Sequence, residues 1–105
     1  MHVQVCQVFN LADLCVIGRA HGDELPDIDL QPFKADEMGV SRRHLTLGLE
    51  DDRVVAVDSG YNGTWLNGEK MQPEQPYPIR HGDKFRLGML QLQIEFLMNP
   101  FEYTS

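Results

Sequence analysis

The chain has 105 residues and 42% apolar composition, enough for one packed core and too little for two. Its formal net charge of −7 argues against general nucleic-acid binding, which relies on a basic field to neutralise phosphates. No apolar run approaches the ~20 residues needed to span a bilayer, and Met1 to Val5 lacks the basic and apolar regions of a signal peptide. Two cysteines, Cys6 and Cys15, are too few for a disulfide framework and lack Cys-x-x-Cys metal spacing. Free thiols in a reducing, cytoplasmic setting are the expectation.

In chain order, Val3 to Phe9 and Leu14 to Arg19 read as strands around a break at Asn10-Leu11-Ala12-Asp13. Ala20 to Val40, with Pro26, Pro32 and several carboxylates, reads as a long surface loop in which Ile28-Asp29-Leu30 is a candidate short strand. His44 to Glu50 alternates, placing Leu45, Leu47 and Leu49 inward and Thr46 and Gly48 outward. The acidic turn Glu50-Asp51-Asp52 leads into the valine-rich Arg53 to Asp58, a hairpin pattern. Trp65 is expected as a core or inter-sheet anchor. Asn67-Gly68 after it favours a type I′ turn, because both residues tolerate positive φ. His81-Gly82-Asp83 and Gly88-Met89 mark further reversals around Lys84 to Leu87, where Phe85 and Leu87 face inward. Finally Leu90, Leu92, Ile94 and Phe96 alternate with Gln91, Gln93 and Glu95. No segment carries a helical period. The pattern predicts an all-β, two-sheet antiparallel sandwich spanning residues 1–99, with 100–105 as a tail.

Three stretches carry the chemistry, each beginning or ending at an expected strand: Gly18-Arg19, Ser41-Arg42-Arg43-His44, and Tyr61-Asn62-Gly63-Thr64-Trp65-Leu66-Asn67-Gly68. An arginine fork grips a phosphate in bidentate fashion where lysine offers a point charge. A serine hydroxyl supplies a further donor, and an exposed asparagine amide has both a donor and an acceptor for a peptide backbone. Each stretch in isolation also fits an ordinary solvated turn. The acidic net charge does not forbid a phosphate ligand, because distant carboxylates are screened over a Debye length of about 8 Å at physiological salt. Ser41, His44 and Asp58 together have the residue types of a hydrolase triad, but there is no Gly-x-Ser-x-Gly elbow, so no enzyme is expected and His44 is read as a brace between loops. His2, His21 and His81 lack metal-ligand spacing, so neither zinc nor another cofactor is expected.

Taken together, Gly18-Arg19, the Ser-x-x-His of Ser41 and His44, Asn62-Gly63-Thr64, the Asn67-Gly68 hairpin and the Gly82-Asp83 turn resemble the forkhead-associated (FHA) domain, from about Leu14 to Phe96. The compact form and the Gly39 to His44 sequence are similar to prokaryotic members. The resemblance implies an eleven-stranded β-sandwich holding a phosphothreonine peptide in loops at one end, in a Ser/Thr protein kinase pathway. It implies that Arg19, Ser41 and Arg42 meet the phosphate and Asn62 the peptide main chain. Arg43 and Tyr61 are then candidate contacts to flanking residues, and Gly18, His44 and Gly63 structural supports. Tyr61 departs from the Ser or Thr that often precedes the asparagine in the family. A preference for threonine over serine gains about 0.8 kcal/mol from burying one methyl. The alternative is a scaffold of the same fold that binds partners through a sheet face such as Gln91-Gln93-Glu95, without phosphate.

Overall fold

Apolar alternation resolves into ten short strands in the computed structural model, which describes residues 2–3 and 14–96. They are β1 (His2–Val3), β2 (Cys15–Gly18), β3 (Ile28–Asp29), β4 (Leu45–Glu50), β5 (Arg53–Asp58), β6 (Thr64–Leu66), β7 (Glu69–Lys70), β8 (Tyr77–Pro78), β9 (Lys84–Leu87) and β10 (Leu90–Gln93). The expected strand beyond Val3, the thiol of Cys6 and the expected tail lie outside the described residues.

The strands form two five-stranded sheets, β1-β10-β9-β6-β7 and β3-β2-β4-β5-β8. Cys15, Ile17, Leu45, Leu47, Val54 and Ala56 on one sheet share a core with Phe85, Leu87, Leu90 and Leu92 on the other. Leu87, Leu90 and Leu45 are fully buried, and each such side chain contributes roughly 1.5–3 kcal/mol relative to exposure. The pairing is not wholly antiparallel: β1 runs parallel to β10, and β3 parallel to β2. Both are edge pairs, and the β2–β3 pair is joined by a long connection, as a parallel neighbour requires.

Three sequence expectations are corrected. The 20–40 segment is anchored instead of lying on the surface: Leu30 and Ala35 are fully buried and Val40 nearly so. A 3-10 helix at Gln31–Phe33 follows β3, and Met89 N–H bonds the Met38 carbonyl. The apolar anchors recur about every five residues, which matches neither strand nor helix periodicity. Within β4, Leu49 is 41% exposed because it lies at the end of the hairpin, whereas outward-facing Gly48 is buried beneath the Leu14 side chain. Trp65 lies on the outer face, directly opposite Arg86 and Lys70, and is half-buried there.

Turn chemistry fixes the registers. Asn67 and Gly68 have φ of 50° and 88°, giving the two-residue β6–β7 hairpin that pairs Leu66 with Glu69. Asp51 and Asp52 also have positive φ and close the β4–β5 hairpin. A Cβ at Gly68 would meet no atom within 4 Å, so its substitution isolates the backbone effect. Gly68→Ala should cost about 1 kcal/mol and lower Tm by roughly 4–8 °C, whereas Gly68→Asn should cost distinctly less. Thermal unfolding of the three proteins checks this.

Candidate functional site

Strand β2 ends where β4 begins and β5 ends, since β2 and β5 both pair antiparallel with β4. The loops leaving these ends therefore gather at one rim of the sandwich. Gly18 closes β2 against the Ser41-Arg42 backbone so tightly that a Cβ would lie 1.9 Å from the Arg42 carbonyl oxygen. The neighbouring main chains are joined by His44 N–H donating to Ile17 O at 3.0 Å. This approach brings Arg19 beside the 40–42 loop. Arg19 Nε donates to the Val40 carbonyl at 2.8 Å, so the residue is half-buried, not the fully exposed arginine that a strand end suggests. The bond uses one of five N–H donors and leaves the terminal nitrogens of the fork for a ligand. Arg42 is more open, with 48% side-chain exposure and a long 3.9 Å contact to Glu24.

The 39–41 loop and the 60–63 loop are tied together by three side chains. Ser41 Oγ accepts from Tyr61 N–H at 2.9 Å, which leaves the hydroxyl proton free to donate outward. Asn62 Nδ2 donates to the Gly39 carbonyl at 2.9 Å, which uses one of its two N–H donors and leaves the second and the Oδ1 acceptor. The third tie is buried. His44 Nδ1 accepts from Ser41 N–H at 3.0 Å, and Nε2 lies 2.9 Å from the Gly63 carbonyl. An accepting Nδ1 assigns the proton to Nε2, so His44 is a neutral imidazole donating to Gly63.

Beneath this brace, Asp58 Oδ1 accepts from Gly60 N–H at 2.9 Å and from Thr64 Oγ1 at 2.7 Å, fixing both sides of the loop. Asp58 Oδ1 is 3.8 Å from His44 Nε2, an electrostatic neighbour beyond hydrogen-bond range. The triad geometry does not form: Ser41 Oγ bonds a backbone amide, and both ring nitrogens of His44 are taken by other backbone groups. Among the described residues, no group of three or more His, Cys, Asp or Glu is placed to hold a metal ion.

Most of the expected site residues therefore meet at the rim: Arg19, Ser41 and Arg42 on one side and Asn62 across from them. Gly18, His44 and Gly63 lie beneath as supports. Tyr61 is 94% exposed and meets Ser41 through its backbone N–H alone, and Arg43 is exposed beside Arg42. Sequence reasoning missed Gly60 and Gly39. A Cβ on Gly60 would come within 2.2–2.4 Å of the His44 ring, and one on Gly39 would lie 2.8 Å from the Asn62 amide. Their signal was a glycine flanking each polar stretch, which local pattern alone reads as a plain turn.

Burial lowers the pKa of His44 from 6.5, opposed by the Gly63 hydrogen bond and by the Asp58 charge. Well above pH 6.5 the ring is neutral in both the folded and unfolded chain, so it adds no pH dependence there. Below 6.5 the unfolded chain takes up the proton first, and His44 should make stability fall until the pH reaches the lowered native pKa. The His44 ring resonance should titrate with a midpoint below 6.5, and urea unfolding should show the matching loss. Gly60→Ala should destabilise by about 1–3 kcal/mol through overpacking against the ring, checked by urea unfolding at neutral pH.

The sequence profile of the FHA domain matches residues 15–88, which contain the whole rim. Protein FraH from Nostoc sp. (strain PCC 7120) is 34% identical over 92 residues, covering 84% of this chain and 32% of that protein. The E3 ubiquitin-protein ligase RNF8 of Rattus norvegicus is 38% identical over 52 residues, 48% of this chain and 11% of the ligase. The chain thus spans about a third or less of these curated relatives. Among solved structures, the N-terminal FHA domain of S. cerevisiae Rad53p in complex with a phosphothreonine peptide superposes with TM-score 0.57 and 27% identity, over 70% of this chain and 54% of that one. The FhaA FHA domain, complexed with the intracellular domain of Rv3910, gives TM-score 0.58 and 28% identity over 80% and 79% of the two chains. The family match, the two-sheet topology and the brace between the loops agree, and the chain belongs to the forkhead-associated domain family.

Proposed function

We propose that the rim binds phosphothreonine within a protein or peptide, as a reader of Ser/Thr kinase signalling. The observation that carries this reading is the state of the rim's donors. The Nε of Arg19 and the oxygen of Ser41 are engaged by the protein itself, so these side chains are aimed while their remaining N–H and O–H groups stay available. Arg42 adds a charged fork whose only ion pair among the described residues is the long one to Glu24. Phosphothreonine presents −1.5 to −2 charges and three strong acceptors, the complement of two guanidinium groups and a hydroxyl. Asn62 contributes its free Oδ1, which accepts a main-chain N–H of the bound peptide. The Rad53p domain with its phosphothreonine peptide supports the same reading by similarity.

In this reading Tyr61 spends its backbone N–H on Ser41 and adds no hydroxyl to the phosphate, leaving its exposed ring beside the peptide. Arg43 faces solvent next to Arg42 and suits an acidic neighbour of the phosphothreonine. The site performs no bond chemistry. Its selectivity comes from charge, geometry and a loop frame organised before the ligand arrives.

Cys15 is a buried free thiol whose pKa is pushed up to about 12, mainly by burial and further by the Asp27 charge, so it is held un-ionised and unreactive. No helix among the described residues is long and apolar enough to cross a membrane.

Arg42→Ala should weaken a phosphothreonine peptide by about ten- to a hundredfold, the scale of one charge-assisted hydrogen bond, while Tm stays unchanged. Ser41→Ala should weaken it as well, and Arg19→Ala should reduce both binding and stability because the Val40 tie is lost. Glu24→Gln should tighten binding by up to about fivefold, since it removes a surface competitor for Arg42. Calorimetric titration with a phosphorylated peptide and its unphosphorylated twin reads the affinities, and thermal unfolding reads the stabilities. Equal affinity for the two peptides, with binding lost on a sheet-face substitution, would replace this reading with the phosphate-independent scaffold.

A further inference from the structure

The outer face of the sheet β1-β10-β9-β6-β7 carries chemistry that the phosphate rim does not use. Phe85 and Leu92 point into the core, so the alternate residues of these strands face outward. Cross-strand pairing aligns Gln91, Arg86, Trp65 and Lys70 in one row. The Arg86 guanidinium lies 3.8 Å from the centroid of the Trp65 ring and is held there by a 2.9 Å bond to the Gly88 carbonyl. Lys70 Nζ lies 5.6 Å from the same centroid. Lys84, one strand along from Asn67, borders a groove of about 520 Å³ that Trp65, Asn67, Arg86 and Gln91 also line.

Charge sets this face apart from the rest of the molecule. Lys70, Lys84 and Arg86 are three of only nine basic residues in a chain of net charge −7. Among the described residues, no carboxylate lies within ion-pair distance of any of them. Cations packed over an indole and lacking carboxylate partners suit a partner that brings carboxylates to pair with them. A basic segment would be repelled here and attracted to the acidic remainder.

Position ties the face to the rim. A Cβ on Gly63 would lie 3.2 Å from Lys70 Cε and 3.4 Å from the Trp65 ring, so the stack presses on the residue that follows Asn62. The ledge therefore begins beside the residue next to Asn62 in the chain.

We propose that the Lys70–Trp65–Arg86–Lys84 ledge is a second binding surface, for an acidic segment of the same protein whose phosphothreonine occupies the rim. This rests on the phosphothreonine reading and adds the partner's chemistry to it. The two contacts act on one chain, so the second is intramolecular, and modest surface pairs become measurable through effective concentration.

The test is calorimetry at low salt with a short phosphothreonine peptide and two versions extended by a glutamate run through a flexible Gly-Ser spacer, one on each side. One extended peptide should bind about three- to tenfold more tightly than the short one, the scale of one or two exposed ion pairs. Lys84→Glu should abolish that gain while leaving the short peptide's affinity unchanged. Arg53→Glu, the same charge change at the opposite end of the β4–β5 hairpin, should keep the gain. No gain from either extension overturns the ledge, as does a gain that Lys84→Glu and Arg53→Glu reduce equally. If the short peptide and its unphosphorylated twin bind alike, the phosphothreonine reading falls and this proposal falls with it. Exposed Lys84 makes no core contact, so a thermal melt should confirm that the variant folds.

Discussion

A buried imidazole in one tautomer holds the rim in place. His44 accepts from the Ser41 amide and donates to the Gly63 carbonyl, joining two loops that are far apart in sequence. Leaving either backbone group unpaired in this buried setting would cost about 1–3 kcal/mol, so the ring does more than fill space. Gly60 lies against the ring and Asp58 anchors Gly60 and Thr64 below it. Removing the brace would leave the two loops joined only by the exposed Tyr61–Ser41 and Asn62–Gly39 bonds. Burial disfavours the same ring as a cation, so the frame rests on a neutral side chain.

Affinity for an anion in so acidic a chain is a matter of distance. Surface carboxylates more than about 8 Å from the rim are screened, whereas guanidinium groups touching a phosphate are not. The sandwich concentrates its scarce cations in two places, the rim and the Trp65 ledge. Glu24 beside Arg42 is the complementary case: a carboxylate 3.9 Å from the guanidinium offsets part of its charge. Binding that depends on local cations within an acidic body rejects bulk polyanions and favours ligands that place charge in the right spot.

Two side chains show how a tertiary bond changes a role that their residue type suggests. Arg19 reads as a free surface fork, but its Nε bond to Val40 makes it part of the loop frame and leaves its terminal nitrogens available. Asn62 reads as both donor and acceptor for a peptide, and the Gly39 carbonyl takes one of its two N–H donors, which fixes the amide's orientation. Each residue gives up some hydrogen-bonding capacity and gains a fixed orientation. Pre-organisation of this kind lowers the entropy lost when a peptide is captured.

Alternation and turn chemistry determined much of this protein from sequence alone. The Leu90–Gln93 and Arg53–Asp58 strands, the Asn67-Gly68 hairpin and the two-sheet class follow from period-two burial and from residues that tolerate positive φ. The loop positions of Arg19, Ser41, Arg42 and Asn62 were equally legible, because polar groups at strand ends stand out from the alternation. Contacts across the fold were not legible, because they depend on what the chain brings together. Only the tertiary structure decided that Leu30, Ala35 and Val40 pull a polar loop into the core, since their spacing follows no regular period. It alone placed Trp65 on the outer face between Arg86 and Lys70, where an indole's large apolar area had suggested the interior. It alone showed why Gly18 and Gly60 must lack a side chain: an approaching carbonyl and an imidazole from elsewhere in the chain occupy the space a Cβ would need.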